Sequence, residues 1–228
     1  MNSSSPVSGP RDPRPRDVPL AYTPFRWRVA DVIRLEPGAA PHPVDLAELL
    51  SNRRSHRAGG PPTLEALGAL LWQVARTLGT SPSPYGFELE QRPVPSAGAI
   101  HPIHVLVQEP GREDWARYDG RRHRLERLAD DRGCLAGLSQ HAYQAAGTGV
   151  GALMAFVAES GRTNAKYEDS DSLVWRDAGV LQGALCTVAP AVGLQVCLLG
   201  PTGDAWVSGL AEQGQLRGVG LARVVALD

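Results

Sequence analysis

Hydrophobic residues recur at helical spacing in four stretches of the chain. The clearest is 64–78, where Thr63 is placed to cap the first turn and Gly79 follows the last apolar residue. The same spacing predicts further helices over 44–50, 134–146 and 174–192. Pro190 has no amide hydrogen to donate, so it should end the last of these helices early.

Other apolar runs are short and predict strands over 103–108, 150–158, 194–199 and 219–227. Asp119-Gly120 predicts a hairpin between 117 and 128, because both residues tolerate the positive φ angles of a tight turn. The basic residues after it, 121–124, are expected on a solvated face. The stretch 80–91 is expected to be mostly loop, and 161–172 is expected to be a polar loop. Helices and strands that do not alternate strictly indicate an α+β fold.

The amino terminus differs in composition from the rest of the chain. Residues 1–20 are rich in serine, proline and arginine and offer too little apolar surface to offset the entropy of ordering, which predicts a flexible arm. Residues 21–228 predict a single domain, since 228 residues with 43% hydrophobic content can bury one core without disulfides.

Charge and cysteine usage exclude several classes of protein. A formal net charge of -1 provides no field to attract nucleic acid or an anionic membrane. Three cysteines without a Cys-x-x-Cys spacing indicate free thiols rather than disulfides or a zinc site. The chain has neither a secretory signal pattern nor an apolar run of transmembrane length, so we expect a soluble cytoplasmic protein.

Two motif-like features favour ordinary structure over chemistry. The glycine-rich segment 147–152 is close to a dinucleotide fingerprint, but a helix precedes it and a strand follows, which is the wrong order for that motif. It therefore predicts a helix end and a turn. Six histidines are present, yet none shares metal-ligand spacing with a carboxylate, so no metal is expected.

Three other segments could carry chemistry. Arg53, Arg54, Ser55 and Arg57 place three guanidinium groups and a hydroxyl after a helix, which suits a phosphate, although such a run is also typical of a solvated helix end. Small residues between prolines at 92–102 allow another group to approach the backbone closely. Lys166-Tyr167 could move protons if the site lowers the lysine pKa, although the pair is ordinary by itself.

In order along the chain, these pieces resemble the nitroreductase superfamily and, within it, the SagB-type dehydrogenases. The resemblance covers about residues 44–210. It rests on Asn52-Arg53-Arg54-Ser55-His56-Arg57, Leu64-Glu65-Ala66-Leu67, Pro95-Ser96-Ala97-Gly98-Ala99-Ile100-His101-Pro102, Arg117-Tyr118-Asp119-Gly120, Lys166-Tyr167 and Asp177-Ala178-Gly179. It implies a mainly antiparallel sheet flanked by helices, with FMN bound between the subunits of a homodimer.

The resemblance also assigns residues to the cofactor. Arg53, Arg54, Ser55 and Arg57 would meet the phosphate and the polar ring edge, with Arg223 as a late phosphate contact. Pro95, Ser96, Ala97 and Gly98 would reach in from the partner subunit. Leu199 and Gly200 would line the flavin, and the Gly200 amide would bond the reactive N5 atom.

The reaction that the resemblance implies is the oxidation of thiazoline or oxazoline rings to azoles in a ribosomally made peptide. Lys166 would act as the base, Tyr167 would orient or relay the proton, and a cyclodehydratase would be a partner protein. Two alternatives stay open: a general NAD(P)H-dependent nitro or quinone reductase, and a non-catalytic scaffold subunit. The scaffold alternative is kept open by Ala99, His101 and Pro201, where family members often carry asparagine, glutamine and glycine.

Overall fold

The computed structural model describes residues 11–37, 43–147, 149–211 and 214–227. The strands in them are β1 (Arg14–Pro15), β2 (Val29–Arg34), β3 (Gly79–Ser81), β4 (Leu89–Gln91), β5 (Ile103–Gln108), β6 (Ala116–Asp119), β7 (Arg124–Leu128), β8 (Ala152–Ala158), β9 (Tyr167–Glu168), β10 (Leu194–Leu199) and β11 (Arg217–Ala226). The α-helices are α1 (Leu46–Asn52), α2 (Leu64–Ala75), α3 (Cys134–Ala146), α4 (Ser160–Lys166), α5 (Asp171–Val188) and α6 (Asp204–Val207).

One seven-stranded sheet organises the molecule, with strand order β10-β11-β8-β5-β6-β7-β2. Every strand pair in the described part of the chain is antiparallel, and β1-β9 and β3-β4 form two small separate sheets. This confirms the predicted α+β fold with a central antiparallel sheet flanked by helices.

Helices cover both faces of the sheet, which explains why β8 is buried along its whole length. Met154 and Phe156 pack with the apolar faces of α2 and α5, whereas Leu153 and Val157 point to the other side and pack with α3. Successive strand residues alternate between the two faces. A strand covered on both sides therefore consists of apolar residues throughout.

Several predicted elements are confirmed close to their predicted bounds. The Thr63 hydroxyl accepts a hydrogen bond from the Ala66 amide and caps α2, although that helix ends at Ala75, earlier than expected. Helix α3 has the predicted bounds, and Gly147 follows it in a positive-φ conformation as its cap. Helix α5 ends at Val188, where a short 3-10 turn containing Pro190 continues the chain.

Two predictions from polarity alone were wrong. Residues 161–172 are not a loop, because α4 and the start of α5 lie there. The stretch 80–91 is mostly irregular as expected, although its two ends pair as the β3-β4 hairpin. Arg121 and Arg122 are exposed as expected, but His123 is not on a solvated face. It is only 6% exposed, and its ring contacts the Trp72 ring and bonds Tyr118. Arg124 is drawn inward by ion pairs with Asp119 and Glu126.

The proline-rich arm falls into two parts. Residues 1–10 lie outside the described residues, whereas residues 11–20 cross the surface beside α4, where Arg14 and Pro15 pair with Glu168 and Tyr167. The backbone donors of this segment explain its placement, since they find carbonyl acceptors on α4. None of the helices in the described ranges has the length and apolar character needed to cross a bilayer.

Candidate functional site

The loop after β4 is anchored by a buried carboxylate on α5. Asp177 accepts hydrogen bonds from the Ser96 hydroxyl at 2.6 Å and from the Ala97 amide at 3.0 Å. The Ser96 oxygen in turn accepts from the His101 amide at 2.9 Å. Because the Ser96 hydroxyl is used in this way, its role within the chain is to shape the loop.

Three residues of this loop have left-handed backbone conformations. The φ angles are 63° at Gly98, 59° at Ala99 and 47° at His101. Only glycine adopts such angles without steric cost, so the two non-glycine residues store strain of about 1–3 kcal/mol each. Strain of this kind persists where the surroundings enforce it, and here Asp177 supplies part of that enforcement.

Lys166 and Tyr167 meet the loop at Gly98. The Lys166 ammonium donates to the Gly98 carbonyl at 3.4 Å. A Cβ atom on Gly98 would lie 2.6 Å from Lys166 Nζ and 2.7 Å from the Tyr167 hydroxyl. The structure thus brings together, within one chain, two segments that lie far apart in the sequence, and a side chain at position 98 would displace both Lys166 and Tyr167.

Lys166 is also the only lysine in the whole chain, which contains 23 lysine and arginine residues together. Apart from the histidines, every other basic side chain is therefore an arginine. An arginine guanidinium does not give up its proton in a protein, whereas a lysine amine can act as a base. The one basic side chain of the amine type therefore stands where Gly98 and Tyr167 converge.

Burial determines the protonation states around the lysine. Desolvation raises the pKa of Tyr167, with Tyr85 and Asp177 adding to the shift, so the phenol keeps its proton. Burial also raises the pKa of Asp177, against the hydrogen bonds from Ser96 and Ala97. Desolvation lowers the pKa of His101 to about 4, so its imidazole is neutral at pH 7. The arrangement offers one amine beside a protonated phenol, which is able to donate a hydrogen bond to a substrate.

The basic segment after α1 forms a second part of the candidate site. Arg53 and Arg54 line a cavity of about 250 Å³, together with Leu49, Cys186, Gln195 and Val196. Arg53 donates to the Ser55 hydroxyl at 3.3 Å, and Arg57 is exposed. Within the described ranges no carboxylate pairs with these three guanidinium groups. A cluster of cations without carboxylate partners fits a phosphate such as that of FMN.

The structure places the remaining predicted cofactor residues as follows. Gly200 is exposed, with open space where a side chain would be, while Leu199 is buried in the core beneath α3. Arg223 is 2% exposed and lies on the α3 face of the sheet, where it donates to the carbonyls of Ala146 and Gly147. These bonds direct its guanidinium to the end of α3, and its contact with a phosphate stays a prediction.

Sequence reasoning missed the anchoring role of Asp177, because an acidic residue in a helix is usually solvated. The one available signal was its place on the apolar face of α5, where Val174, Ala178 and Leu181 are buried beside it. Such a position predicts a carboxylate with internal partners.

A polar cavity of about 380 Å³ opens where β5 and β6 diverge, and sequence reasoning missed it as well. Its charges are paired within the chain: Glu90 bonds both Arg92 and Arg121, and Arg117 bonds Glu126. Although burial favours the neutral acid, the two arginines lower the pKa of Glu90 to about 2. This pairing indicates a structural network beside the site.

Comparison with known proteins assigns the chain to a family. The profile of the nitroreductase family matches residues 50–213. A proposed nitroreductase from Ralstonia eutropha JMP134 has a TM-score of 0.63 and 21% identity, over 92% of this chain and 98% of that one. A proposed nitroreductase from Desulfovibrio desulfuricans in complex with FMN has a TM-score of 0.51 and 17% identity, over 81% and 87%.

A third similar structure is the Escherichia coli microcin synthetase complex McbBCD with truncated pro-MccB17 bound. Its TM-score is 0.52 at 13% identity, over 86% of this chain and 78% of that one. At such identities the likeness concerns the fold alone, and no curated protein sequence gives a significant match. Because the family profile covers most of its length and the solved structures share its fold, this chain belongs to the nitroreductase family.

Proposed function

We propose that the protein is an FMN-dependent dehydrogenase that oxidises thiazoline or oxazoline rings to azoles in a ribosomally made peptide. The observation that carries this proposal is the convergence of the only lysine of the chain and Tyr167 on Gly98. An azoline becomes an azole by losing two hydrogens from adjacent ring carbons, one as a proton and one as a hydride, and removal of the proton requires a base. Lys166 is the side chain at this site whose amine can serve as that base.

The chain's own residues divide the work as follows. Lys166 takes the proton from the ring carbon, and the protonated Tyr167 hydroxyl donates a hydrogen bond that orients the substrate or the amine. The second hydrogen leaves as a hydride, for which FMN, when bound, supplies the acceptor. Arg53, Arg54, Ser55 and Arg57 would hold its phosphate and polar edge, and oxygen would regenerate the oxidised flavin.

A homodimer is part of the proposal, because the loop at 95–98 would complete the flavin site of a second subunit. Exposed apolar side chains support such an interface. Leu46 and Leu50 on α1 are 62% and 55% exposed, and Val180 on α5 and Leu198 on β10 are also exposed. A helix whose apolar face is not buried within its own chain is suited to pack against another copy.

A peptide substrate and a cyclodehydratase partner are supported by the fold likeness to a chain in the microcin synthetase complex, which holds a truncated pro-peptide. A cyclodehydratase would supply the azoline ring that this reaction consumes. A nitro or quinone reductase, the alternative function, would need NAD(P)H as a second substrate. The requirement for NAD(P)H therefore distinguishes the two functions by experiment.

The absorption spectrum of the purified protein tests the cofactor. A flavin spectrum and release of FMN on denaturation are expected. A colourless protein that cannot be reconstituted with FMN would overturn both the dehydrogenase and the reductase hypotheses. A synthetic peptide with one thiazoline should then lose two hydrogens by mass spectrometry without added NAD(P)H. An unchanged thiazoline, together with NADH oxidation in the presence of a nitroarene, would favour the reductase instead.

Matched variants test the base. Lys166→Arg keeps the positive charge but cannot accept a proton, so FMN content should stay at the wild-type level while azole formation falls by about 10²–10⁴-fold. Tyr167→Phe should retain FMN and slow the reaction less. Wild-type rates for both variants would remove Lys166 and Tyr167 from the mechanism.

A further inference from the structure

Residues 14–25, which we term the N-terminal strap, cross the end of helix α4 on the outside of the proposed catalytic pair. Arg14 and Pro15 pair with Glu168 and Tyr167, and further along the Tyr22 amide donates to the Tyr85 carbonyl at 2.8 Å. The Tyr85 ring lies 5.9 Å from the Lys166 ammonium. The strap therefore contacts the segments on both sides of Lys166.

The strap satisfies the end of α4. The last four carbonyls of a helix have no partner within the helix and must find donors elsewhere. In α4 the first of these, on Thr163, accepts from the Tyr167 amide. The next three accept from the strap, which leaves none of the four without a donor. Arg16 Nε bonds the Asn164 carbonyl at 2.7 Å, the Leu20 amide bonds Ala165 at 3.0 Å, and the Arg16 amide bonds Lys166 at 2.9 Å.

Such capping matters for this helix because it has only seven residues. Helices of this length are not stable by themselves, and their ends fray when the terminal carbonyls lack partners. Lys166 is the last residue of α4 and Tyr167 is the first residue after it. Fraying at this end would displace the two side chains that converge on Gly98.

We propose that Arg16 is a positioning residue for Lys166 and Tyr167, acting through the carbonyls at the end of α4. Its backbone amide and its Nε atom make two of the three strap bonds, and its Nη1 atom also pairs with Glu168 at 3.3 Å. The catalytic consequence of this positioning rests on the proposed function. The placement of the Lys166 side chain itself does not, and it can be measured separately.

The single lysine makes that measurement direct. Protein grown with lysine labelled with ¹³C at the ε carbon should give one lysine side-chain NMR signal, that of Lys166. Arg16→Ala should shift or broaden this signal, because the helix end loses a donor. Arg11→Ala is the matched control, since Arg11 lies in the same arm and forms no hydrogen bond or ion pair with the described residues. Its lysine signal should match that of the wild type.

Activity gives the second readout. In Arg16→Ala, kcat for thiazoline oxidation should fall at least about tenfold with KM unchanged, since misplacement by a fraction of an ångström slows the chemical step. The deuterium isotope effect on kcat, measured with a substrate labelled at the ring carbon that loses the proton, should rise. General destabilisation of the protein would not cause such a rise. Glu168→Gln keeps both carbonyl bonds and should behave like the wild type.

A wild-type lysine signal together with wild-type kcat in Arg16→Ala would overturn the proposal, and so would equal changes in Arg16→Ala and Arg11→Ala. Failure of the proposed function looks different. In that case the unmodified protein does not oxidise the thiazoline, yet the lysine signal still responds to Arg16→Ala and not to Arg11→Ala, which supports the positioning role.

Discussion

Replacing Gly98 by alanine tests the geometry of the site most directly. The new Cβ atom would lie 2.6 Å from Lys166 Nζ and 2.7 Å from the Tyr167 hydroxyl, whereas unstrained contacts between such atoms are about 3.5 Å. Both side chains must therefore retreat by about 1 Å. The atoms that must move are the far ends of flexible side chains, so the clash itself should cost little stability.

The two effects of Gly98→Ala can be estimated separately. A residue other than glycine at a φ of 63° costs about 1–2 kcal/mol, which in a domain of this size lowers Tm by about 2–8 °C. A displacement of about 1 Å at the reacting groups costs about 10²-fold in rate. We therefore expect a modest loss of stability and a large loss of thiazoline oxidation, measured per bound FMN because Gly98 also belongs to the proposed flavin site.

Gly111→Ala provides the control for backbone strain. Gly111 has a φ of 73°, close to that of Gly98, but no atom lies within 4 Å of the position that its Cβ would occupy. Its Tm should fall by a similar amount while the oxidation rate stays unchanged. If both variants oxidise the thiazoline peptide at the same rate, contact with Gly98 does not govern the placement of Lys166 and Tyr167, and the reasoning fails.

Three further predictions address the surroundings of the site. Burial lowers the pKa of His101 from 6.5 to about 4, so between these pH values the folded state binds fewer protons than the unfolded state. The free energy of unfolding should therefore fall by about 3 kcal/mol as pH falls from 6.5 to 4. His101→Gln should flatten this pH dependence in denaturant titrations, and parallel curves would contradict it. Asp177→Ala leaves the Ser96 hydroxyl without its acceptor, so the free energy of unfolding measured by calorimetry should fall by about 1–3 kcal/mol. An unchanged Tm would refute the anchoring role. Arg53→Ala should weaken FMN binding about 10–100-fold by fluorescence titration, whereas Arg122→Ala, at an exposed arginine elsewhere, should not; equal affinities would argue against the phosphate site.

Part of the fold was readable from the sequence because it depends on local patterns. Helix α2 has a capping threonine followed by apolar residues at helical spacing, and α3 ends at a glycine whose positive φ no neighbouring residue could adopt as easily. The strand β8 is apolar throughout because both of its faces are covered. Patterns of this kind report burial along one element.

The residue types of the candidate site could also be predicted from the sequence. The positions of Arg53, Gly98, Lys166 and Tyr167 could be selected from their residue types and their order. Their types state which chemistry is available, namely cations, a bare backbone, an amine and a phenol. They do not state which of these groups share a space, and Arg223 illustrates the difference: the alternation of β11 turns it to the α3 face, where it bonds the end of that helix.

Tertiary structure decided the rest, because the deciding partners lie far away in the chain. Residues 161–166 read as a polar loop, yet they form a helix whose last carbonyls are capped by Arg16 and Leu20, about 150 residues earlier in the sequence. Asp177 reads as a solvated acid until Ser96 and Ala97 are brought to it. Local propensity is worth a few tenths of a kcal/mol per residue, and partners that satisfy buried polar groups are worth more. Where the two disagree, the long-range contacts determine the structure.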